Sequence, residues 1–407
     1  MIHRTTRHLG FATLRNISIV TCALVVGCGI WPPAPVPPEP AGPVVTVLPE
    51  LYEGGQTIPS EITPDGKVVV GFCVLPTVMS GQPAQAQAFR WSEDDGLVPL
   101  GSLPDKPLSF GVATNHDGSI IVGYSANPDD DTVQAWIWTA AKGMQPIPPP
   151  RDDAQSEAYD VTDDGTVFGR FAYVQEDGLI RQEPFLWSEE KGYGDFPLWG
   201  WGGTTDAAWM DPASIAPDGL SLVFDRQYPI ADDEIPLGAW VAEFGLPFGD
   251  GPWIQYAIEQ QGTPQFFPSP RAYISDPIML AGSSTHIDMG AALSVPAIWT
   301  PATGIQILFD GAPGQAWCVS PDGTLVGGGN LDAGTAFIWD TRRGFQNLMV
   351  YAQQMDYLHG TDLYDQFAEV GFPSNVLGIA LGNKRLVGTV GTSAFGNPCR
   401  AFVLDLP

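Results

Sequence analysis

The stretch TPDGKVVVG, residues 63–71, joins a tight-turn signal to the start of a buried strand. Asp-Gly tolerates the positive φ angles of a hairpin turn, and the β-branched residues after it favour a strand. Four further copies keep the Asp-Gly pair, and two degenerate copies keep only the apolar frame. They are NHDGS (115–119), TDDGT (162–166), APDGL (216–220), SPDGT (320–324), YISDPIMLAG (273–282) and IALGNKRLVG (379–388). The chain therefore carries seven related hairpins.

An aromatic strand follows each hairpin. These segments are AFRW (88–91), AWIW (135–138), PFLW (184–187), GAWV (238–241), PAIW (296–299), AFIW (336–339) and AFVL (401–404). Most are followed by one more short apolar strand, as in GLVPLGSL (96–103). Each repeat has room for about four short strands, which is the size of a propeller blade. We predict an all-β fold over residues 44–407, a seven-bladed β-propeller of four-stranded blades.

The two ends of this region are expected to meet. The seventh repeat reaches AFVLDLP (401–407) without a fourth strand, whereas VVTVLPEL (44–51) precedes the first repeat and is similar to GLVPLGSL. We predict that the segment 44–51 pairs with the AFVLDLP strand. This pairing would remove two sheet edges and close the ring of blades.

The repeat resembles a known family. Its S/T-x-D-G turn, VVG run and A-F-x-W strand are similar to the HAF repeats of bacterial extracellular proteins, and more distantly to the PD40 propeller repeats of TolB-type proteins. Residues 345–367, FQNLMVYAQQMDYLHGTDLYDQF, resemble the helical insert before the last HAF repeat, so we expect a short helical insert near 346–367. The resemblance covers nearly all of 44–407 and is weakest in repeats four, five and seven. It implies export and a propeller, and it supplies no activity and no catalytic residue.

Residues 1–27 have the features of a bacterial lipoprotein signal peptide. Three arginines precede an apolar run, 17–27, that is too short to cross a bilayer as a mature helix. The run ends in VVGC, which resembles a lipobox and predicts acylation of Cys28. An ordinary signal peptide and an uncleaved anchor helix are the alternatives.

The segment 28–43 is then a lipidated cysteine with a proline-rich tether. An extended tether of this length spans about 40 Å. Gly29 stands where an aspartate would indicate retention in the inner membrane, so anchoring in the outer membrane is favoured. The expected partner through Cys28 is thus a membrane of the cell envelope.

The charge balance excludes one class of partner. The chain has 46 acidic and 18 basic residues and a formal net charge of −28, which argues against nucleic-acid binding. A saline habitat would also explain this acidity.

Metal ions and disulfides have little support in the sequence. The acidic blocks 129–131, 152–153 and 232–234 offer oxygen ligands for Ca²⁺ but lack EF-hand spacing. We predict no metal site and no cofactor, with Ca²⁺ bound at these blocks as the alternative. Cys73, Cys318 and Cys399 allow one disulfide at most. We expect a monomer.

Aromatic loops are the main candidates for a binding site. Most tryptophans belong to the repeated aromatic strand, where packing between blades explains them. The segment WGWGG (199–203) lies between repeats, and its Trp199 and Trp201, together with Trp209, could present flat faces to a sugar ring. Indoles folded back onto the blade are the alternative. The loop 250–268 is a second candidate.

No catalytic residue is predicted. His116, His286 and His359 are the histidines beyond the anchor, and the chain has no G-x-S-x-G, H-E-x-x-H or P-loop motif. Hairpin geometry explains the Asp-Gly aspartates, although a ring of carboxylates at the propeller mouth is an alternative.

The sequence therefore predicts a binding or scaffold module at the bacterial envelope, with a polysaccharide or a surface protein as ligand. The many acidic residues leave a glycosidase or a polysaccharide lyase open as the enzymatic alternative.

Overall fold

The computed structural model describes most of the repeat region. The described residues are 43–75, 85–176, 178, 180–194, 210–215, 221–226, 238–243, 254–257, 269–275, 278–288, 291–309, 312–330, 334–355, 363–380, 382–391 and 399–406. The predicted signal peptide, Cys28 and the tether up to residue 42 lie outside them. None of the helices in this part of the chain is long and apolar enough to span a bilayer.

The described strands form seven four-stranded antiparallel sheets. The first contains β2 (Gln56–Ile62), β3 (Val69–Leu75), β4 (Gln85–Ser92) and β5 (Gly96–Gly101), and the second β6 (Leu108–Thr114), β7 (Ile120–Asn127), β8 (Thr132–Thr139) and β9 (Gly143–Pro146). The third contains β10 (Gln155–Val161), β11 (Val167–Val174), β12 (Ile180–Ser188) and β13 (Gly192–Tyr193), and the fourth β14 (Met210–Ile215), β15 (Ser221–Arg226), β16 (Gly238–Glu243) and β17 (Ile254–Ala257). The fifth contains β18 (Ser269–Ser275), β19 (Ile278–Asp288), β20 (Ala291–Thr300) and β21 (Gly304–Ile307), and the sixth β22 (Gly314–Val319), β23 (Leu325–Asn330), β24 (Thr335–Asp340) and β25 (Gly344–Asn347). The seventh contains β26 (Pro373–Ala380), β27 (Arg385–Val390), β28 (Arg400–Asp405) and β1 (Val44–Val47).

The Asp-Gly turns connect the first and second strands of their sheets. In the first sheet Gly66 has a φ of 71°. Thr63 Oγ1 donates a hydrogen bond to Asp65 Oδ1 at 2.8 Å, and the N–H of Lys67 donates to the same oxygen at 3.1 Å. The turns of the third and sixth sheets repeat this network with Thr162, Asp164 and Thr166 and with Ser320, Asp322 and Thr324. The prediction that hairpin geometry explains these aspartates is confirmed.

The aromatic strand is the third strand of each sheet and supplies much of the core. Phe89, Trp136, Phe337 and Phe402 are fully buried, and the tryptophans that end this strand in four sheets are buried too: Trp91, Trp187, Trp299 and Trp339. Trp138 is partly buried against the same core. The packing role predicted for these side chains is confirmed.

The glycine of the VVG run is required by close contact inside the sheet. A Cβ atom at Gly71 would clash with the carbonyl oxygen of Ile58 in the neighbouring strand, and one at Gly123 would clash with that of Phe110. The motif therefore keeps glycine at this place because the backbone of the first strand leaves no room for a side chain.

Every first strand contains a β-bulge, a feature that no local sequence pattern predicts. In the first sheet the register shifts between Pro59 and Glu61, and the other six sheets shift at the corresponding place. A bulge re-aims the side chain that follows it. Accordingly, Glu61 Oε2 accepts a hydrogen bond from the N–H of Thr114 in the second sheet at 2.7 Å.

The first strands are the inner elements of the assembly. The strands β2, β6, β10, β14, β18, β22 and β26 contact one another in this order, and β26 also contacts β2. The first strand of each sheet in addition lies against the second or third strand of the preceding sheet.

The ends of the repeat region meet in the seventh sheet. The strand β1 pairs with β28 in an antiparallel register from Val44 opposite Asp405 to Val47 opposite Phe402. This is the pairing that the sequence predicts for the segment 44–51. Two short helices, α1 (Leu348–Met355) and α2 (Leu363–Val370), precede β26 in the region where a helical insert is expected.

Candidate functional site

The ligand-binding residues predicted from the sequence are three tryptophans between repeats. Trp199, Trp201 and Trp209 lie outside the described residues, and of the loop 250–268 only β17 is described. Cys73, Cys318 and Cys399 are free thiols. Among the described residues no group of three potential metal ligands occurs.

The acidic blocks and His116 have local structural roles where they are described. Asp130 accepts hydrogen bonds from Thr132 in the turn between β7 and β8. Asp153 forms an ion pair with Arg151. The backbone N–H of His116, within the Asp-Gly turn of the second sheet, donates to Asp163 of the third. The block 232–234 lies outside the described residues.

The third sheet differs from the first two at the residue that follows the glycine of the VVG run. The residue after the conserved glycine is Phe72 in β3 and Tyr124 in β7, but Arg170 in β11. Each faces a residue of the first strand across the antiparallel pair: Ile58, Phe110 and Glu157, respectively. The remaining sheets pair Asp211 with Asp225, Ser269 with Ser283, Gln315 with Gly329 and Asn375 with Thr389 at this position. Among the described sheets only the third therefore holds a pair of opposite charge here.

Three aromatic side chains, Phe72, Phe110 and Tyr124, contact one another in sequence across the first and second sheets, and we call them the aromatic row. The rings of Phe72 and Phe110 meet edge to face at 5.2 Å between centroids, and those of Phe110 and Tyr124 stack at 4.9 Å. All three side chains are only partly buried. Burial, followed by the negative charge of Glu157, raises the pKa of Tyr124.

The ion pair is held by a network of hydrogen bonds. Arg170 Nη2 lies 2.8 Å from Glu157 Oε2, and its Nε donates to the same oxygen at 2.9 Å. Arg170 Nη1 donates to Gln182 Oε1 at 3.1 Å, and the hydroxyl of Tyr159 donates to Glu157 Oε2. The side chains of Arg170 and Glu157 are 23% and 22% exposed. Both polar groups therefore remain accessible to solvent while fixed in place.

A cavity of about 280 Å³ lies over this pair. Its wall is one face of the third sheet, because side chains alternate along a strand and the registers place these residues together. They are Gln155, Glu157, Arg170, Ala172, Ile180 and Gln182. We call this cavity the third-sheet cleft.

The borders of the third-sheet cleft differ in character. Val174 and Ile180, a cross-strand pair, are 58% and 50% exposed at its mouth. Tyr173 also lines the cleft, and the guanidinium of Arg151 lies 4.0 Å from the centre of its ring. The opposite face of the sheet, with Phe171 and Phe185, packs against the second sheet. Val133 of β8 also lines the cleft, which therefore adjoins the second sheet.

Two carboxylates on the inner strands have raised pKa values. Burial and the nearby charge of Asp160 raise the pKa of Glu61 well above its usual range. Burial raises the pKa of Asp160 to about 6. Asp160 Oδ2 accepts hydrogen bonds from the N–H of Ile215 at 2.9 Å and from Ser214 Oγ at 2.8 Å. Like Glu61, Asp160 follows the bulge of its first strand and connects its sheet to the next one.

Comparison with known proteins identifies the fold. No family model and no curated protein matches the sequence. Among solved structures, the β-propeller domain of the Trilobed protease from Pyrococcus furiosus matches with a TM-score of 0.50 and 9% identity, over 86% of this chain and 95% of that one. The fold is that of a β-propeller. That domain has an open velcro topology.

Other propeller-containing proteins match as well. Acylaminoacyl peptidase from Pyrococcus horikoshii matches with a TM-score of 0.52 and 10% identity, over 86% of this chain and 51% of that one. TolB from Acinetobacter baumannii matches with a TM-score of 0.45 and 16% identity, over 70% of this chain and 64% of that one. The propeller spans less than two thirds of either protein, and likeness at these identities shows the fold alone.

Proposed function

We propose that the chain is a closed ring of seven blades, held at the bacterial envelope by lipidated Cys28, and that it acts there as a binding module. The pairing of β1 with β28 and the contacts around all seven first strands support the closed ring. The lipobox-like VVGC segment supports the anchor.

The observation that carries the binding role is the third-sheet cleft, with the ion pair of Glu157 and Arg170 on its wall. The two residues that face each other at this position carry opposite charges in the third sheet and in none of the other six described sheets. An ion pair there costs desolvation energy, and it leaves a polar cleft instead of a packed contact. A concave surface with a few fixed polar groups is also the usual form of a ligand site.

Binding to isolated cell envelopes tests this role. We expect the full chain, labelled and purified in detergent, to bind envelopes saturably. Val174→Asp, a change at an exposed position of the cleft mouth, should weaken this binding about tenfold or more. Val98→Asp, at a 39% exposed position of the first sheet, is the matched control and should leave binding intact. Absence of saturable binding, or equal binding by both variants, would contradict a binding module that uses the cleft.

The anchor has its own test. Growth with an alkyne-tagged fatty acid should label the full chain, and Cys28→Ser should abolish the label while Cys399→Ser keeps it. Fractionation of the two membranes should then recover the labelled chain with the outer membrane. Label that persists in Cys28→Ser would exclude the lipoprotein.

A carbohydrate-active enzyme, a glycosidase or a lyase, is the second candidate. The raised pKa values of Glu61 and Asp160 favour it, because a carboxylic acid that stays protonated near neutral pH is suited to general acid catalysis. Both groups, however, already accept backbone hydrogen bonds from the next sheet. Enzymatic function predicts that polysaccharides are cleaved by the full chain and that Glu61→Gln abolishes cleavage without loss of the folded state.

A further inference from the structure

We propose that the third-sheet cleft binds an uncharged oligosaccharide. This inference rests on the proposed binding function and names the chemistry of its ligand. Three features of the cleft lead to it: its unsatisfied hydrogen-bonding atoms, its balanced charge, and its apolar borders.

The cleft presents both donors and acceptors. Arg170 donates hydrogen bonds to Glu157 Oε2 and to Gln182 Oε1. Within the part of the chain that the structure describes, the other oxygen of this carboxylate, Glu157 Oε1, accepts no hydrogen bond, and the amide nitrogen Gln182 Nε2 donates none. Gln155, exposed at the same wall, adds a further amide. A sugar hydroxyl both donates and accepts, so it matches a carboxylate oxygen beside an amide N–H.

The paired charges at the cleft and the net negative charge of the chain disfavour ionic ligands. Arg170, which lines the cleft, is paired with Glu157, and Arg151, beside the ring of Tyr173, is paired with Asp153. The chain as a whole carries a net charge of −28. An anionic ligand would therefore meet a repelling field and cationic groups that are already neutralised. A cationic ligand would have to compete with Arg170 for Glu157.

Apolar surface borders the polar atoms. The side chains of Val133 and Tyr173 line the cleft beside the polar atoms, and the exposed side chains of Val174 and Ile180 lie at its mouth. The C–H face of a pyranose ring packs well on such surfaces while its hydroxyls reach the polar groups. Few, fixed polar groups within an apolar frame give orientation and specificity to a small ligand.

Titration calorimetry of the full chain in detergent tests the inference. The probes are neutral hexasaccharides of glucose, mannose, galactose and xylose, with an oligogalacturonate as the anionic contrast. We expect at least one neutral series to bind and the anionic one not to bind. Gln182→Ala should weaken this binding about tenfold, and Glu157→Gln at least as much, since hydrogen bonds to charged groups are the stronger ones.

The matched control is Gln145→Ala, at an exposed glutamine on β9 of the second sheet, which should bind as the unmodified chain does. Because Gln182 supports Arg170, thermal unfolding of each variant is measured as well. If Gln182→Ala lowers the melting temperature, Gln155→Ala replaces it, since Gln155 makes no described side-chain hydrogen bond.

The outcomes separate the two proposals. Neutral-glycan binding that is lost in the cleft variants and kept in Gln145→Ala supports the inference. Binding of the anionic oligosaccharide alone, equal binding by all variants, or no binding of any glycan overturns it. If glycan binding is absent while envelope binding still depends on Val174, the binding module stands and its ligand is of another class, such as a surface protein.

Discussion

Arg385 and Gly66, 319 positions apart in the sequence, meet where the seventh sheet adjoins the first: Arg385 Nη1 donates a hydrogen bond to the carbonyl oxygen of Gly66 at 3.0 Å. The same guanidinium forms ion pairs with Glu93 of the first sheet and with Asp405 of β28. Its side chain is only 12% exposed. One residue thus connects the first Asp-Gly turn, the first sheet and the last strand of the chain.

Replacing Arg385 should weaken this junction. We expect Arg385→Gln to lower the free energy of unfolding by about 1 to 3 kcal/mol, since it removes charge-assisted hydrogen bonds from a largely buried site and leaves Asp405 without its partner. Urea denaturation followed by tryptophan fluorescence measures the change. The control is Arg90→Gln, whose ion pair with the exposed Asp95 should contribute less than about 1 kcal/mol. Equal effects of the two variants would show that Arg385 is an ordinary surface residue.

The free edge of the seventh sheet depends on one glutamine. Gln366 in α2 accepts a hydrogen bond from the N–H of Val45 at 2.9 Å and donates to the carbonyl oxygen of Pro43 at 3.1 Å. Edge strands left open are prone to fraying and to pairing with other chains. Gln366→Ala should therefore speed amide exchange at Val45 and lower stability by about 1 to 2 kcal/mol. The control variant is Gln353→Ala, at an exposed position in α1. If amides of β1 exchange equally fast in Gln366→Ala and in this control, Gln366 does not protect the edge strand.

The raised pKa of Asp160 gives a pH dependence of known sign. Because the folded chain holds this proton up to a pH of about 6 and the unfolded chain releases it near pH 4, the group makes the fold less stable as pH rises through that interval. Asp160→Asn keeps an oxygen that can accept from Ile215 and removes the titration. The stability of this variant relative to the unmodified chain should increase between pH 4 and 6 and level off above. Denaturant unfolding at several pH values checks it, and a flat difference would contradict the assignment.

The Asp-Gly turns should show the opposite dependence. Hydrogen bonds from Ser320, Thr324 and Asn383 outweigh the effect of partial burial and lower the pKa of Asp322. Its contribution is therefore present above the pKa of the unfolded state and is lost as pH falls through the folded value. Asp322→Ala should destabilise the fold by about 1 to 2 kcal/mol at pH 7 and by much less at pH 2. Asp152→Ala, at an exposed position with no described hydrogen bond, is the control for melting experiments at both pH values.

Local signals made much of the fold predictable. The turn of residues 63–66, the glycine at 71 and the aromatic strand ending at Trp91 each have a short-range cause, in backbone dihedral angles, in close strand contact and in core packing. Their recurrence indicates sheets of similar construction. The pairing of β1 with β28 was also predictable, because the last repeat lacks a strand that the segment 44–51 resembles.

The candidate site was harder to predict from the sequence, because the strand register decides which of its residues meet. The bulge before Glu61 shifts pairing by one residue, and no local pattern marks it, so Glu61 and Asp160 look like ordinary surface acids in the sequence. Glu157 and Arg170 are 13 residues apart and become partners only in the antiparallel pair. Aligning the repeats on Gly71 would have shown that this variable position carries a basic residue only in the third repeat, which is the signal the sequence offered. The tryptophans that did attract attention, Trp199, Trp201 and Trp209, lie outside the described residues, and their role stays a prediction.

The bulge that recurs in every inner strand affects how the blades of such a ring can come to differ in sequence. It places one residue of each blade where a neighbouring blade adjoins: Glu61 and Asp160 accept backbone hydrogen bonds from the next sheet, and Cys318 Sγ lies 3.7 Å from the carbonyl oxygen of Val376 in the next sheet. The joints between blades can consequently differ in chemistry, with a carboxylate, a thiol, a hydroxyl, a methyl group or glycine at this position, while the aromatic strand repeats. In this chain the seven positions already hold such a mixture: Glu61, Ala113, Asp160, Ser214, Ala272, Cys318 and Gly378.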